Sequence, residues 1–401
     1  MTSPTSDITL PPLGSFDYQP RTRIVFGVGA VERVGELARE LPARKVLLVT
    51  DRGIVAAGHT ERVRQALETA GVSVACYDQV EENPTTRCVD KCLALARASA
   101  VDAIVGLGGG SSLDTAKGCN FLLTNSGRMQ DYWGVGKAKL PMLPLIAIPT
   151  TAGTGSECQS FALITDENTH QKMACGDLKA AARVAILDPA LTLSQPPRVT
   201  ACTGIDAIAH AAETAVTRKR TALSLAFSRE AFKLLMAGLP RVLASPADLE
   251  ARGWMLLGAA WAGTAIENSM LGAAHSAANP LTAHFGITHG QAVGMMLPHV
   301  IRFNAFDPLT SQTYTRLASC AQISPSQTPA VASESLAHRL EQLLDLAGMP
   351  RCLKDFGVGD RDIPRLAKEA AGQWTAQFNP RPVSAADFEK IYAGALNREG
   401  E

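Results

Sequence analysis

From Arg23 onward the chain alternates short apolar runs with longer amphipathic stretches. RIVFG (23–27), KVLLVTD (45–51), SVACYD (73–78) and DAIVGLGGG (102–110) read as strands. Between them VERVGELARELP (31–42), 60–70 and 86–98 carry apolar residues at helical spacing. LPLIAIPTT (143–151), FALITD (161–166) and VAILDP (184–189) add further strands. Runs that are apolar throughout, rather than at every second position, belong to strands covered on both faces, and their alternation with helices predicts a parallel sheet of the α/β dinucleotide-binding kind. After Pro189 the strand signal stops. LTLSQPPRVT (191–200) reads as a boundary, and helices are predicted at about 198–217, 221–239, 247–267, 269–279, 290–304, 309–322, 333–347, 361–376 and 384–396. The expected organisation is a loose Pro/Ser/Thr-rich tail (1–14), an α/β nucleotide domain (15–195) and an all-α domain (196–401).

Composition narrows the partners. Lys plus Arg (38) equals Asp plus Glu (38), so no net field favours nucleic acid or an anionic membrane. The longest nearly uncharged run, Trp254 to Ile266, is shorter than the roughly 20 residues of a membrane span and reads as a buried helix. Nine cysteines are scattered without a CxxC pair, and no basic-then-apolar leader opens the chain. Free thiols in a reducing cytoplasm, and a small neutral or singly charged substrate, are the expectation.

Four side chains between Gly204 and His289 form the pattern with most chemistry in it. Asp206 and His210 are four apart in the helix-forming GIDAIAHAAE, so both leave one helix face. His275 and His289 flank a segment that starts helical and is expected to be interrupted by Pro280 and two glycines, with the helix breaking at the proline. Their neighbours are almost uncharged, which places these polar groups inside a helical core where unpaired charge is costly. Three imidazoles and a carboxylate without thiolate suit Fe(II), Zn(II) or another first-row divalent ion.

GLGGGSSLDTAKG (106–118) leaves a strand and enters a helix. Gly108, Gly109 and Gly110 would let the backbone approach a pyrophosphate, with Ser111 and Ser112 and the helix N–H groups as donors. The spacing is neither the six-residue Rossmann fingerprint nor a P-loop, and a tight turn is the bland alternative. Asp51, at the end of its strand, is either a helix cap or a ligand for both ribose hydroxyls of adenosine; in the second case NAD is preferred to NADP. IPTTAGTGSE (148–157) supplies another Thr/Gly loop after a strand.

Taken in order, GGGSSLDTAK, IPTTAGTGSE, the DxxxH of GIDAIAH, the His275–His289 segment and NPRPV (379–383) resemble the iron-containing, group III alcohol dehydrogenases over nearly the whole chain. The resemblance implies a cleft between the two halves holding NAD(P) and a divalent metal, in a homodimer that interconverts a primary alcohol and its aldehyde. Carried over residue by residue, it makes Asp206, His210, His275 and His289 the metal ligands. It also puts Asp51, Asn83, Gly109, Gly110, Ser111, Asp114, Thr150, Thr151, Thr154 and Lys172 near the cofactor. Two departures stand out. Asn279 occupies the place where many members carry a second histidine beside the substrate, and Asn is no general acid at neutral pH; His284 is then a candidate proton carrier. Ile266 stands where members often have Phe. Two other readings remain: a lyase of the dehydroquinate synthase type, which would need a Lys/Arg cluster for its substrate phosphate, and a dehydrogenase for a functionalised carbonyl such as a polyol, hydroxy acid or phosphonate.

Overall fold

The structure is a computed structural model that describes residues 15–326 and 328–397; the tail expected over 1–14 lies outside them. The first half runs β1 (Arg23–Phe26), α1 (Val34–Glu40), β2 (Lys45–Val49), α2 (Arg52–Ala56), α3 (His59–Thr69), β3 (Ser73–Tyr77), α4 (Thr86–Ser99), β4 (Ala103–Gly108), α5 (Gly110–Asn125), β5 (Gly134–Val135), β6 (Leu145–Pro149), β7 (Phe161–Thr165), β8 (Lys172–Gly176) and β9 (Val184–Leu187). Six strands make one parallel sheet in the order β1-β9-β6-β4-β2-β3. β4, β6 and β9 are buried at every residue, as their uninterrupted apolar sequences require. Side chains still alternate between faces. Leu47, Val49 and Ile104 join one apolar cluster with Leu113 and Phe121 of α5, whereas Val46, Leu48, Val105 and Leu107 join the other with Val34 and Leu37 of α1.

The sheet order locates the crevice. From β2 the chain moves outward to β3, then returns past β2 to β4 and continues the other way to β6 and β9. Paired neighbours β2 and β4 therefore flank the switch point, outside whose carboxyl ends ligands bind in such sheets. Asp51 lies just beyond β2, and Gly108 ends β4 with Gly109 and Gly110 leading into α5.

The strand expected at 161–166 forms, but in a second sheet of order β5-β8-β7. Its antiparallel partner β8 was not legible in the sequence; the register Thr165↔Lys172 to Phe161↔Gly176 creates it. A bridge from Thr85 to Thr165 ties the ENPT segment to this hairpin.

From Pro197 the chain is helical: α6 (Pro197–Thr214), α7 (Ala222–Ala244), α8 (Leu249–Glu267), α9 (Ala273–Phe285), α10 (His289–Asn304), α11 (Pro308–Cys320), α12 (Pro329–Leu346), α13 (Ile363–Ala371) and α14 (Ala385–Leu396). Local chemistry sets many of the starts. Thr221 and Ser224 form a capping box on α7, Asp248 caps α8, and Pro308 and Pro329 occupy first turns. α6 packs against α7, α8 and α10 through small residues such as Ala207 and Ala211. The predicted break at Pro280 does not occur: α9 runs on to Phe285 and ends at Gly286. Proline costs a helix interior about 3 kcal/mol in isolation. Here Ala277, Ala278 and Leu281 are fully buried against the helical core, and that packing outweighs the lost hydrogen bond. The 361–376 helix stops earlier, at Ala371, and a short 3-10 turn (Trp374–Phe378) follows. Among the described residues no helix is long and apolar enough to cross a membrane, and the 254–266 run lies inside α8.

Candidate active site

Three helices bring the polar cluster together. α6 presents Asp206 and His210 one turn apart, α9 presents His275 in its first turn, and α10 begins with His289. The Asp206 Oδ1 lies 3.5 Å from His210 Nε2, 3.4 Å from His275 Nε2 and 3.8 Å from His289 Nε2. His210 and His275 stack at 4.8 Å, and His275 and His289 are tilted at 5.4 Å. Asp206, His210 and His275 are buried, each offering one ligand atom within 4.8 Å of the others. His289 is the open side, with 34% of its side chain exposed.

Hydrogen bonding leaves this cluster incomplete. Asp206 Oδ1, His210 Nδ1 and His275 Nε2 are buried with no hydrogen-bond partner. Orphaned buried groups of this kind cost about 1–3 kcal/mol each, so the donor set fits a divalent cation, which would satisfy a carboxylate and imidazole lone pairs together. The charges agree. Burial works against the Asp206 carboxylate, but His210, His275 and His289 outweigh it and hold its pKa well below the usual range. Burial also disfavours the His275 imidazolium, yet Glu213 and Asp206 keep its pKa up at about 9. Desolvation pushes His289 down to about 3 and lowers His210 as well, so both rings are neutral, the form that ligates metal.

The nucleotide end is built on the N-terminus of α5. Gly109 is its N-cap and offers no side-chain bond, so the first N–H groups face outward. A Cβ on Gly110 would stand 2.8 Å from Thr154 Cγ2, and one on Gly109 3.3 Å from Thr151 Cγ2. Only bare backbone leaves this cradle open. Ser111 Oγ accepts from the Asn83 N–H at 3.3 Å, and Lys172 Nζ donates to Asn83 Oδ1 at 3.4 Å. Asp51 caps α2 through Ile54 N–H (3.1 Å) and accepts from Ser112 Oγ (3.3 Å), which keeps one carboxylate beside the glycine turn. The structure thus gathers Asp51, Asn83, Gly108–Gly110, Ser111, Thr151, Thr154 and Lys172 around one helix end. Asp114 and Thr150 sit deeper. Asp114 accepts from Ser156 Oγ (2.7 Å), and Thr150 is buried with its N–H on Gly108 O (3.0 Å).

One loop joins the two ends. After β6, Thr151 and Thr154 lie against the glycine turn, while a Cβ on Gly153 between them would be 2.5 Å from Thr203 Cβ, one turn before Asp206 on α6. Ser160 beyond it donates through N–H (2.9 Å) and Oγ (2.6 Å) to Glu267 at the end of α8. The buried Lys117 Nζ holds the loop from behind, donating to Ser156 O (2.6 Å), Ser156 Oγ (2.8 Å) and Phe161 O (2.9 Å).

Asn279, expected beside the substrate, and His284, the candidate proton carrier, are placed differently. Asn279, one turn after His275, donates to Gln373 Oε1 at 3.0 Å. His284 is nine residues from His275, about 13 Å along the helix axis, and its Nε2 is paired with Glu369 at 2.7 Å. The geometry does not bring His284 to the cluster. A residue not singled out from the sequence does belong there: Glu213, whose Oε2 lies 2.5 Å from His275 Nδ1. Its signal was present, as a carboxylate three residues after His210 in a segment with almost no other charge.

A parallel sheet with a bare helix end at its switch point, one loop away from a buried carboxylate and three imidazoles, defines a dinucleotide-linked, metal-dependent oxidoreductase. Comparison with known proteins places it further: the chain belongs to the iron-containing alcohol dehydrogenase family, whose models match residues 20–189 (iron-containing alcohol dehydrogenase) and 200–396 (the family's C-terminal region). It is 36% identical to the NAD-dependent methanol dehydrogenase of Bacillus methanolicus over 93% of this chain and 97% of that one. It is also 36% identical to choline dehydrogenase of Bacillus subtilis (strain 168) over 95% of each. A crystal structure of 1,3-propanediol oxidoreductase superposes with a TM-score of 0.92 at 32% identity, covering 96% of this chain and all of that one. The protein is accordingly an oxidoreductase that exchanges hydride between an alcohol or aldehyde carbon and NAD(H), with iron as the family's metal.

Proposed function

We propose that Asp206, His210, His275 and His289 hold the metal, that the α5 N-terminus with Asn83, Ser111, Thr151, Thr154 and Lys172 holds the dinucleotide, and that the substrate is a short primary alcohol or its aldehyde. The observation that carries this reading is the pair of buried, unpartnered atoms Asp206 Oδ1 and His275 Nε2, with His210 Nε2 3.5 Å from the same carboxylate oxygen, one loop away from the glycine cradle. A divalent metal bound there supplies Lewis-acid polarisation of the substrate oxygen. The chain's own part is to orient and to exclude water. α6, α9 and α10 fix the ligand side chains, and the loop after β6, which touches both the glycine turn and α6, would hold a bound dinucleotide next to them. Asn279, which donates to Gln373, can offer a substrate a hydrogen bond but no acid proton at neutral pH.

The size of the substrate is supported by the similar proteins, whose names carry methanol, choline and 1,3-propanediol, all small primary alcohols. Asp51 supports NAD over NADP, because its carboxylate stays beside the glycine turn and would repel a 2′-phosphate. Nine free cysteines support a reducing, cytoplasmic compartment. A homodimer is supported by the edge strand β1, where Phe26 is 47% exposed.

The test is NADH oxidation with a panel of short aldehydes, using metal-stripped protein reloaded anaerobically with Fe(II), with Zn(II) or with nothing. Metal-dependent turnover of one aldehyde class is expected, and Asp206→Ala should lose metal and turnover together. Full activity of a metal-free Asp206→Ala protein would overturn the reading.

A further inference from the structure

We propose that Glu213 is the positioning residue that holds His275 in the tautomer and orientation presenting Nε2 to the cluster. The inference rests on His275 being a metal ligand, as argued above. Glu213 lies on α6, seven residues after Asp206 and three after His210, and its side chain is 4% exposed. Both carboxylate oxygens are used: Oε1 accepts from the Ala274 N–H at 2.7 Å and Oε2 faces His275 Nδ1 at 2.5 Å. A carboxylate oxygen accepts, so Nδ1 is the ring nitrogen that donates here, and in the neutral imidazole that ligates a metal the lone pair is then left on Nε2. Nε2 is the atom that stands 3.4 Å from Asp206 Oδ1 without a hydrogen-bond partner.

The backbone of His275 is held by the same device. Gly272, the N-cap of α9, brings no capping side chain, and the first turn of that helix would otherwise leave buried N–H groups open. Two distant side chains close them. Asn379, from the NPRPV segment, accepts from Ala273 N–H at 3.3 Å, and Glu213 accepts from Ala274 N–H. Ring and backbone of His275 are therefore both referenced to α6, the helix that carries Asp206 and His210. Three ligand side chains on two helices become one preorganised set, in the way outer carboxylates orient ligating histidines.

Glu213→Gln separates this role from packing. The amide matches the carboxylate in shape and can still accept from Ala274 N–H, but its NH2 would then face Nδ1 and drive the imidazole hydrogen to Nε2. Metal-stripped protein is titrated with Zn(II) against a chromophoric chelator, Co(II) loading is followed by its visible absorption, and thermal unfolding of the stripped protein reports folding. Glu213→Gln is expected to unfold like the wild type when stripped, to bind Zn(II) about 10–100-fold more weakly, and to give an altered Co(II) spectrum. His275→Ala is the reference for loss of the ligand itself. If His275→Ala binds Zn(II) as the wild type does, the metal assignment fails and takes this inference with it. If His275→Ala weakens binding but Glu213→Gln keeps wild-type affinity and Co(II) spectrum, Glu213 only packs, and the proposal alone is overturned. Weaker binding with a lowered unfolding temperature and an unchanged Co(II) spectrum overturns it too.

Discussion

Gly290, the second residue of α10, lies where that helix crosses α6, and a methyl group there should disturb the proposed metal site without touching any of its four side chains. A Cβ at 290 would stand 2.1 Å from the carbonyl oxygen of Cys202, 2.8 Å from its carbon and 3.3 Å from its Cα. The closest of these is at least about 1 Å short of ordinary van der Waals separation. The obstacle is backbone of a buried helix and cannot rotate aside, so the start of α10 must retreat. His289 is the adjacent residue, and its Nε2 is 3.8 Å from Asp206 Oδ1. Metal–nitrogen bonds of about 2.0–2.1 Å tolerate only a few tenths of an ångström of displacement. Gly290→Ala should therefore cost about 1–3 kcal/mol of stability as overpacking and weaken Zn(II) binding by about tenfold or more, about 1.4 kcal/mol. Gly286→Ala, in the same connection, is the control. Gly286 has φ +64° and nothing within 4 Å of the place a methyl group would take, so its substitution should cost about 1 kcal/mol of backbone strain and leave metal affinity alone. Thermal unfolding of stripped protein and Zn(II) competition with a chelator measure both quantities. Wild-type affinity in Gly290→Ala, or equal loss in Gly286→Ala, would refute the reasoning.

Three further outcomes are expected. Asp51→Asn keeps the cap on Ile54 and the contact with Ser112 but removes the charge, so kcat/KM for NADPH relative to NADH should rise about tenfold, at roughly 1.4 kcal/mol per decade; an unchanged ratio would take Asp51 out of cofactor choice. Glu157 is buried, and desolvation raises its pKa from 4.5 to about 7. Between those values the folded protein binds a proton that the unfolded chain has released, so stability falls as pH rises through the window, by up to about 3 kcal/mol. The unfolding temperature of Glu157→Gln should accordingly gain on the wild type between pH 5 and pH 8, and a difference that stays constant with pH would contradict this. His284→Ala removes only a partly exposed ion pair with Glu369 and should cost less than about 1 kcal/mol, with turnover within twofold of wild type. A tenfold fall in kcat would put His284 back on the proton path.

Much of this protein is legible in its residue order because the determining forces there are local. Uninterrupted apolar runs such as AIVGLG of β4 mark strands covered on both faces, and glycines placed between such a strand and a helix mark the cradle at its end. The four-residue spacing of Asp206 and His210 is a property of the helix itself. Other features depend on partners far away in the chain. β8 exists because β7 offers it a register, and α9 survives Pro280 because its neighbours are buried against the helical core. His284 and Glu213 make the contrast clearest. Both are titratable residues close in sequence to a proposed ligand, yet His284 meets Glu369, 85 residues away, whereas Glu213 meets His275 across 62 residues. Sequence alone determined the type of most elements, the class of the main sheet and the identities of the four clustered side chains, since periodicity and residue chemistry act over a few residues. Only the tertiary structure decided which buried carboxylate orients which imidazole and which histidine is left at the surface, because those choices depend on how α6, α9, α10 and α13 pack.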